Sequence, residues 1–146
     1  MNRINLVTLG VRDISASLDF YRNIGFKAHI VGDEVHPTVV FFSNEGSKLS
    51  LFPIHELAAD INRDNPPEVS KGGFNGVTLA YNGKSEAEVD DIMDRVVQHG
   101  ATVVKTPQPL SWGGYGGYFT DIDGYYWEVA YGAEWEFDAS NMLVLD

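Results

Sequence analysis

One carboxylate stands alone in an aromatic run near the C-terminal end of the chain: Glu128, between Trp127 and Val129 in YYWEVAY. Strands favour β-branched and aromatic residues, so a carboxylate there calls for a reason. Three roles are open to it: ligand to a divalent metal, general base, or exposed strand residue with no task. The hydroxyls that could work beside it belong to Thr8, Ser50, Thr78, Tyr118 and Tyr126, and Phe41, Phe52 and Trp112 offer flat apolar surfaces. Of the four histidines, His29 falls in a strand, His36 precedes Pro37, and His99 ends a helix beside Gly100, where the helix dipole favours a cation. His55 follows a strand closely enough to swing toward Glu128, so a His55/Glu128 pair is the metal arrangement the histidines offer. Cysteine is absent, which excludes disulfides, a zinc knuckle and a thiol nucleophile within the chain.

Charge narrows the partners. Ten basic residues against 21 acidic ones give a formal net charge of -11. Such a field repels phosphate backbones and anionic lipid, so neither nucleic acid nor a membrane is expected as partner, and a cationic ligand is favoured. No run approaches the roughly 18 apolar residues of a membrane span. The start, MNRINLVTLGV, lacks the pattern of a signal peptide, and a soluble, cytoplasmic protein is expected. The carboxylates of Glu86, Asp90, Asp91 and Asp94 read as a solvated helix face.

The elements that must position these side chains occur twice. NLVTL at 5–9 returns as NGVTL at 75–79. Each run precedes a punctuated helix. In the first, Asp13 is the N-cap, Ile14, Leu18 and Tyr21 form the apolar stripe, and Gly25 is the stop. In the second, Ser85 and Glu88 form a capping box, Val89, Ile92 and Val96 the stripe, and Gly100 the stop. Strands follow at 26–31 and 101–105. The echo continues to the C-terminal hairpin, where FFSNEG at 41–46 matches YFTD at 118–121 and KLSL at 48–51 matches YWEV at 126–129. Each copy therefore reads strand, helix, strand, strand, strand. The predicted organisation is α+β: one domain over 1–146, with module one at 1–55, a linker at 56–73 holding a short helix (56–61) and Pro66-Pro67, module two at 74–131, and a tail at 132–146.

Alternation along the strands sorts the side chains. Val7, Leu9 and Val11 go beneath the helix, leaving Leu6, Thr8 and Gly10 on the opposite, open face; Thr78 takes that open face in the second copy. A three-residue turn at 122–124 predicts Thr120 opposite Tyr126, Phe119 opposite Trp127 and Tyr118 opposite Glu128. Tyr118, Tyr126 and Glu128 then share the open face, with Trp112 joining them if no bulge intervenes. The glycines between Trp112 and Tyr118 fit either a mobile lip or a crossing where neighbouring rings need room.

The two βαβββ modules, the VRDISASLDFYRNIGF helix and the WGGYGGYFTDIDGYYWEVA ending together resemble the vicinal oxygen chelate superfamily, which holds glyoxalases, extradiol dioxygenases and bleomycin- and fosfomycin-resistance proteins. The resemblance implies an eight-stranded cup, a homodimer, and, in metal-dependent members, four ligands from the first and last strands of the two modules. Through the repeat those positions are Leu6, Ser50, Gly76 and Glu128. Only Glu128 is a competent donor for a divalent metal, since leucine and glycine lack one and a serine hydroxyl is poor. No cofactor is implied.

What remains is a cup lined by Thr8, Phe41, Ser50, Phe52, Thr78, Trp112, Tyr118, Tyr126 and Glu128, with no complete metal site. Either the rings fill it themselves, as in a protein that binds partners by its surface, or it takes a flat, aromatic or cationic small molecule oriented by Glu128. The alternative is a glyoxalase-like lyase or isomerase, related in kind to the dioxygenases, in which Glu128 is the catalytic base or part of an unconventional metal site. The tail, with Trp135, Phe137 and the apolar run 142–145, is expected to cover the sheet or a dimer contact.

Overall fold

The computed structural model describes residues 1–145. Its contacts divide the chain into two units, Met1–Gly73 and Phe74–Asp146. The fold is α+β, with a βαβββ module and a four-stranded mixed sheet in each unit.

The first unit runs β1 (Leu6–Val11), α1 (Ile14–Asn23), β2 (Ala28–Gly32), β3 (Pro37–Phe42), β4 (Lys48–Pro53) and α2 (Ile54–Ile61). Its sheet has the order β1-β4-β3-β2, with β1 and β4 parallel and the other neighbours antiparallel. Helix α1 starts where expected: the Asp13 carboxylate accepts from the backbone N–H groups of Ser15 and Ala16, both at 3.0 Å. That satisfies two donors a helix start otherwise leaves orphaned. Leu18, Phe20 and Tyr21 are buried with Leu9, Val11, Val40, Phe42, Leu49 and Leu51, so the helix covers the face that alternation assigned to it. Tyr21, Phe26 and Phe42 form a knot of rings with centroids 5.3 to 5.4 Å apart.

Helix α2 begins two residues earlier than the sequence suggested, with Pro53 as its N-cap directly after β4. His55 therefore sits exposed in its first turn. A Cβ on Gly10 would stand 2.9 Å from Cγ1 of Ile54 and 3.3 Å from Cδ2 of Leu57. The glycine thus lets α2 close down on one end of the unit's open face.

The second unit runs β5 (Thr78–Gly83), α3 (Glu86–Gln98), β6 (Thr102–Pro109), β7 (Tyr115–Thr120) and β8 (Tyr126–Tyr131), in the sheet order β5-β8-β7-β6. Ser85 caps α3 by accepting from the Glu88 N–H at 3.1 Å. The return bond of the expected box lands one residue early: the Glu88 carboxylate accepts from the Lys84 N–H at 2.7 Å, and from the Tyr81 hydroxyl at 2.6 Å. The stripe is also displaced, because Met93 is buried with Val89 and Val96 while Ile92 is only half-buried. The β7–β8 register is the one the turn dictated, with Thr120 opposite Tyr126, Phe119 opposite Trp127 and Tyr118 opposite Glu128. Asp121 fixes it, its carboxylate accepting from the N–H groups of Asp123 and Tyr125 at 3.0 and 2.9 Å. Strand β6 is longer than expected and irregular, with register shifts between Val103 and Lys105 and between Lys105 and Gln108.

The equivalence of the halves differs from the sequence echo by two residues. Leu6 lies opposite Lys48, and the residue opposite Tyr126 is Thr78, not Gly76. Gly76 precedes β5 and has φ +83°. An even slip keeps every side chain on its own face, so the face assignments survive while the residue-by-residue match does not.

Beyond β8 the tail folds back on its own unit. Trp135 stacks on Trp112 with centroids 5.4 Å apart and planes 21° from parallel. Phe137 bridges Leu143, and the Lys84 ammonium lies 5.6 Å from the Phe137 ring centroid and donates to the Asn141 side chain. Deleting residues 134–146 should lower the melting temperature by several degrees in a calorimetric scan. An unchanged transition would mean the tail adds nothing to the stability of its unit.

Candidate functional site

The open face of the second sheet carries the candidate site. Successive strands place Ala80, Glu128, Tyr118 and Lys105 in one row, and Thr78, Tyr126, Thr120 and Thr102 in the next. Side chains paired in this way lie within about 5.5 Å of each other at Cβ. Tyr118 donates its hydroxyl to the Glu128 carboxylate at 2.9 Å, and both residues are half-buried. Tyr126 meets Phe74 edge-on at 5.2 Å, and Phe74 is itself 62% exposed.

The Tyr118 phenol is pushed above the usual tyrosine range, first by burial and then by its hydrogen bond to, and the charge of, Glu128. A raised folded-state pKa favours the protonated phenol, so this stabilisation is complete below the ordinary value near 10 and is lost as pH climbs through the folded one. Glu128→Gln should bring the phenol back down only part of the way, because desolvation stays. Phenolate absorbance read against Tyr118→Phe checks this; an unmoved titration would mean that the carboxylate does not influence the phenol.

In the first unit Thr8, Ser50, Phe41 and His29 form the corresponding row. Ser50 is 1% exposed and donates to the Thr8 hydroxyl at 2.8 Å, so these two groups satisfy each other. Phe41 is partly exposed, and Phe52 is half-buried opposite Gly10. His29 pairs with the Ser43 hydroxyl, His36 lies outside the strands, and His99 forms the C-cap of α3.

Trp112 lies outside strand β7. Strand β7 begins at Tyr115, and a turn closed by the Gly113 N–H on the Leu110 carbonyl at 3.0 Å separates it from Trp112. Alternation does not carry through such a turn. The indole instead lies over Gly114, where a Cβ would come within 2.0 Å of the ring, while Gly132 makes the same room for Trp135. Gly116 and Gly117 admit neighbouring backbone instead: a Cβ would stand 2.6 Å from the Val129 carbonyl oxygen at the first and 2.4 Å from that of Lys105 at the second. At Gly116 and Gly117 the room is taken by backbone, not by the rings of a neighbouring strand that the sequence suggested.

A groove of about 480 Å³ lies on the helical side of the same sheet, lined by Asp90, Asp94, Val97, Val103 and Tyr115 among others. The Tyr115 hydroxyl donates to Asp90 at 2.9 Å there. Tyr115 alternates with Tyr118 along β7, so this groove faces away from Glu128.

The donor set does not fit a divalent metal. With the register corrected, the four first- and last-strand positions are Leu6, Ser50, Thr78 and Glu128, one carboxylate among two hydroxyls and an alkyl chain. Among the described residues no group of three or more His, Asp or Glu side chains comes together in a way that could hold a metal ion.

Two residues on the open face escaped the sequence reading. Phe74 precedes β5 and carried no strand signal. Lys105 would share the helical face with Val103 under strict alternation, but the shift between Val103 and Lys105 brings it opposite Tyr118.

Two mixed sheets built from repeated βαβββ modules define a class of fold, and the comparisons agree on it. The profile of the Glyoxalase/Bleomycin resistance protein/Dioxygenase superfamily matches residues 3–129, and the chain belongs to that superfamily. A glyoxalase-related enzyme from Fulvimarina pelagi is similar to it with TM-score 0.84 and 27% identity, over 99% of both chains. A lactoylglutathione lyase from Agrobacterium tumefaciens gives TM-score 0.67 and 26% identity over 94% of this chain and 98% of its own. A glyoxalase/bleomycin resistance protein/dioxygenase from Nocardioides gives 0.73 and 22% over 92% and 85%. No curated protein matches the sequence.

Proposed function

We propose that this superfamily member binds a small aromatic or cationic molecule on the open face of its second sheet, without a complete metal site. The observation that carries the reading is the half-buried Glu128 carboxylate, held by Tyr118 at 2.9 Å beside the rings of Tyr126 and Phe74. Rings offer stacking surface and a cation–π partner, and the carboxylate orients a protonated nitrogen. Thr78 adds a hydroxyl at the rim, and the chain's net charge of -11 favours a cationic partner. Thr8, Phe41, Ser50 and Phe52 lie on the first unit's own open face and form a separate candidate surface there, and Trp112 is a further candidate within the second unit. A cytoplasmic, homodimeric protein is the setting we propose.

A second reading has one observation in its favour. The phenol–carboxylate pair is a proton donor and acceptor in direct contact, as an isomerase or lyase with Glu128 as base would use. The relative from Fulvimarina pelagi is described as a glyoxalase-related enzyme and that from Agrobacterium tumefaciens as a lactoylglutathione lyase, which supports an enzyme reading in general.

Tryptophan fluorescence during titration with a panel of aromatic amines and their neutral analogues tests the first reading. Wild type should bind the amines, and Glu128→Gln should weaken them about tenfold or more, as loss of a charge-assisted hydrogen bond implies. Neutral analogues should bind both proteins alike. Equal affinity of both proteins for every compound would remove the carboxylate from recognition.

A further inference from the structure

In the row of Ala80, Glu128, Tyr118 and Lys105, the lysine is the charged member that the binding reading leaves without a task. The geometry points to a ligand that is a zwitterion: we propose that Glu128 and Lys105, flanking Tyr118, hold the protonated nitrogen and the anionic oxygen at opposite ends of one small aromatic-bodied molecule. This deepens the binding reading of the same face and rests on it.

Three observations support the assignment. The first is the shift in β6. Val103 lies opposite Phe119 and Lys105 opposite Tyr118, so two strand steps on β6 answer one on β7. An extra residue of this kind re-aims the side chains beyond it. Without it Lys105 would point with Val103 toward α3; with it, the ammonium joins the side that carries Tyr118 and Glu128.

The second is that this position is fixed by the backbone. The Lys105 carbonyl approaches Gly117 so closely that a Cβ there would lie 2.4 Å from its oxygen. The base of the lysine is therefore held against β7, and only its flexible stem is free to adjust.

The third is the charge arrangement. Strands lie about 4.8 Å apart, so Glu128 and Lys105, two strands apart, have backbones separated by roughly 10 Å. Between them the Tyr118 hydroxyl is turned toward Glu128, at 2.9 Å. No described side chain forms an ion pair with Lys105, which is half-buried. A molecule with one charge at each end of a ring matches this row: nitrogen to Glu128, ring along Tyr118 and Tyr126, anion to Lys105. A simple amine would leave the ammonium unanswered and close to its own cation, which costs affinity by like-charge repulsion.

Edge-strand lysines also guard a sheet against pairing with another strand, and β6 is an edge. That duty is indifferent to what the opposite side of Tyr118 carries, and it predicts no effect on ligand choice. The test turns on this difference.

Calorimetric titrations of the full chain with para-aminomethylbenzoate, benzylamine and benzoate separate the cases. We expect para-aminomethylbenzoate to bind about tenfold or more tightly than either single-charge compound. Lys105→Met should abolish its advantage over benzylamine while leaving benzylamine bound as well or better. Lys105→Arg, which keeps the charge, should retain the preference, and circular dichroism of each variant verifies the fold. If benzylamine binds wild type as tightly as para-aminomethylbenzoate, or if Lys105→Met keeps the preference, the zwitterion assignment is wrong and the cation-binding reading stands. If none of the three compounds binds wild type, both fall together.

Discussion

Phe42→Ala should destabilise the N-terminal unit by about 3–5 kcal/mol, the range for removing a buried aromatic ring. Phe42 is 2% exposed and touches Tyr21 and Phe26 at centroid distances of 5.4 and 5.3 Å. Its strand lies between β2 and β4, bonded on both sides, so the backbone cannot move in to fill the space. Tyr21 is fully buried and held on α1 by the packing of Leu18 and Phe20 on the same helix, so it cannot tip into the cavity without exposing its neighbours. Phe42→Leu keeps most of the volume and should cost less than about 1.5 kcal/mol. Denaturant unfolding of the two variants, followed by circular dichroism, gives the comparison. A loss below about 1 kcal/mol for alanine would mean that the ring knot is not a unit of stability.

Gly117→Ala is the second large effect and acts by crowding. Its Cβ would meet the Lys105 carbonyl oxygen at 2.4 Å and the Pro107 nitrogen at 3.0 Å. Both are backbone atoms, so relief requires β6 to move. Forcing one extra carbon into a packed region costs about 1–3 kcal/mol, and here the upper end applies. Gly83→Ala is the matched control in the same sheet, where the nearest heavy atom would be Cγ2 of Val89 at an ordinary 3.5 Å. It should be close to neutral. The contrast in melting temperature checks the argument, and equal melting of the two variants would overturn it. Because the residue that must shift is Lys105, the Gly117 variant should also weaken the proposed preference for para-aminomethylbenzoate over benzylamine.

Much of the fold could be read from residues that act locally. Asp13 and Ser85 mark helix starts because only short polar side chains reach back to the first N–H groups. Asp121 and Gly124 fix a turn, and the turn fixes every pair along β7 and β8, including Tyr118 with Glu128. The unread features depend on contacts distant in sequence. NLVTL and NGVTL look equivalent, yet the pairing of β5 with β8 makes Thr78 the counterpart of Leu6. The Glu88 carboxylate chose the Lys84 N–H over that of Ser85, and also holds the Tyr81 hydroxyl. A turn separates Trp112 from β7, so alternation along the strand does not reach it. Lys105 was hidden by a register shift, which changes the face of a side chain while leaving the local sequence strand-like. For the site, the carboxylate and its phenol were legible. The cation opposite them was not.

The stacked indoles have an optical consequence. Trp112 and Trp135 lie 5.4 Å apart with planes 21° from parallel, close enough for their transitions to couple, and a skew between the two transition moments would give a paired positive and negative band in the circular dichroism spectrum. Trp127 stands apart from that pair, parallel to Phe119 with a centroid separation of 6.0 Å, on the strand that carries Glu128. The chain thus contains two separable built-in reporters. The coupled band follows the docking of the tail, and the emission of Trp127 follows the sheet beneath the carboxylate.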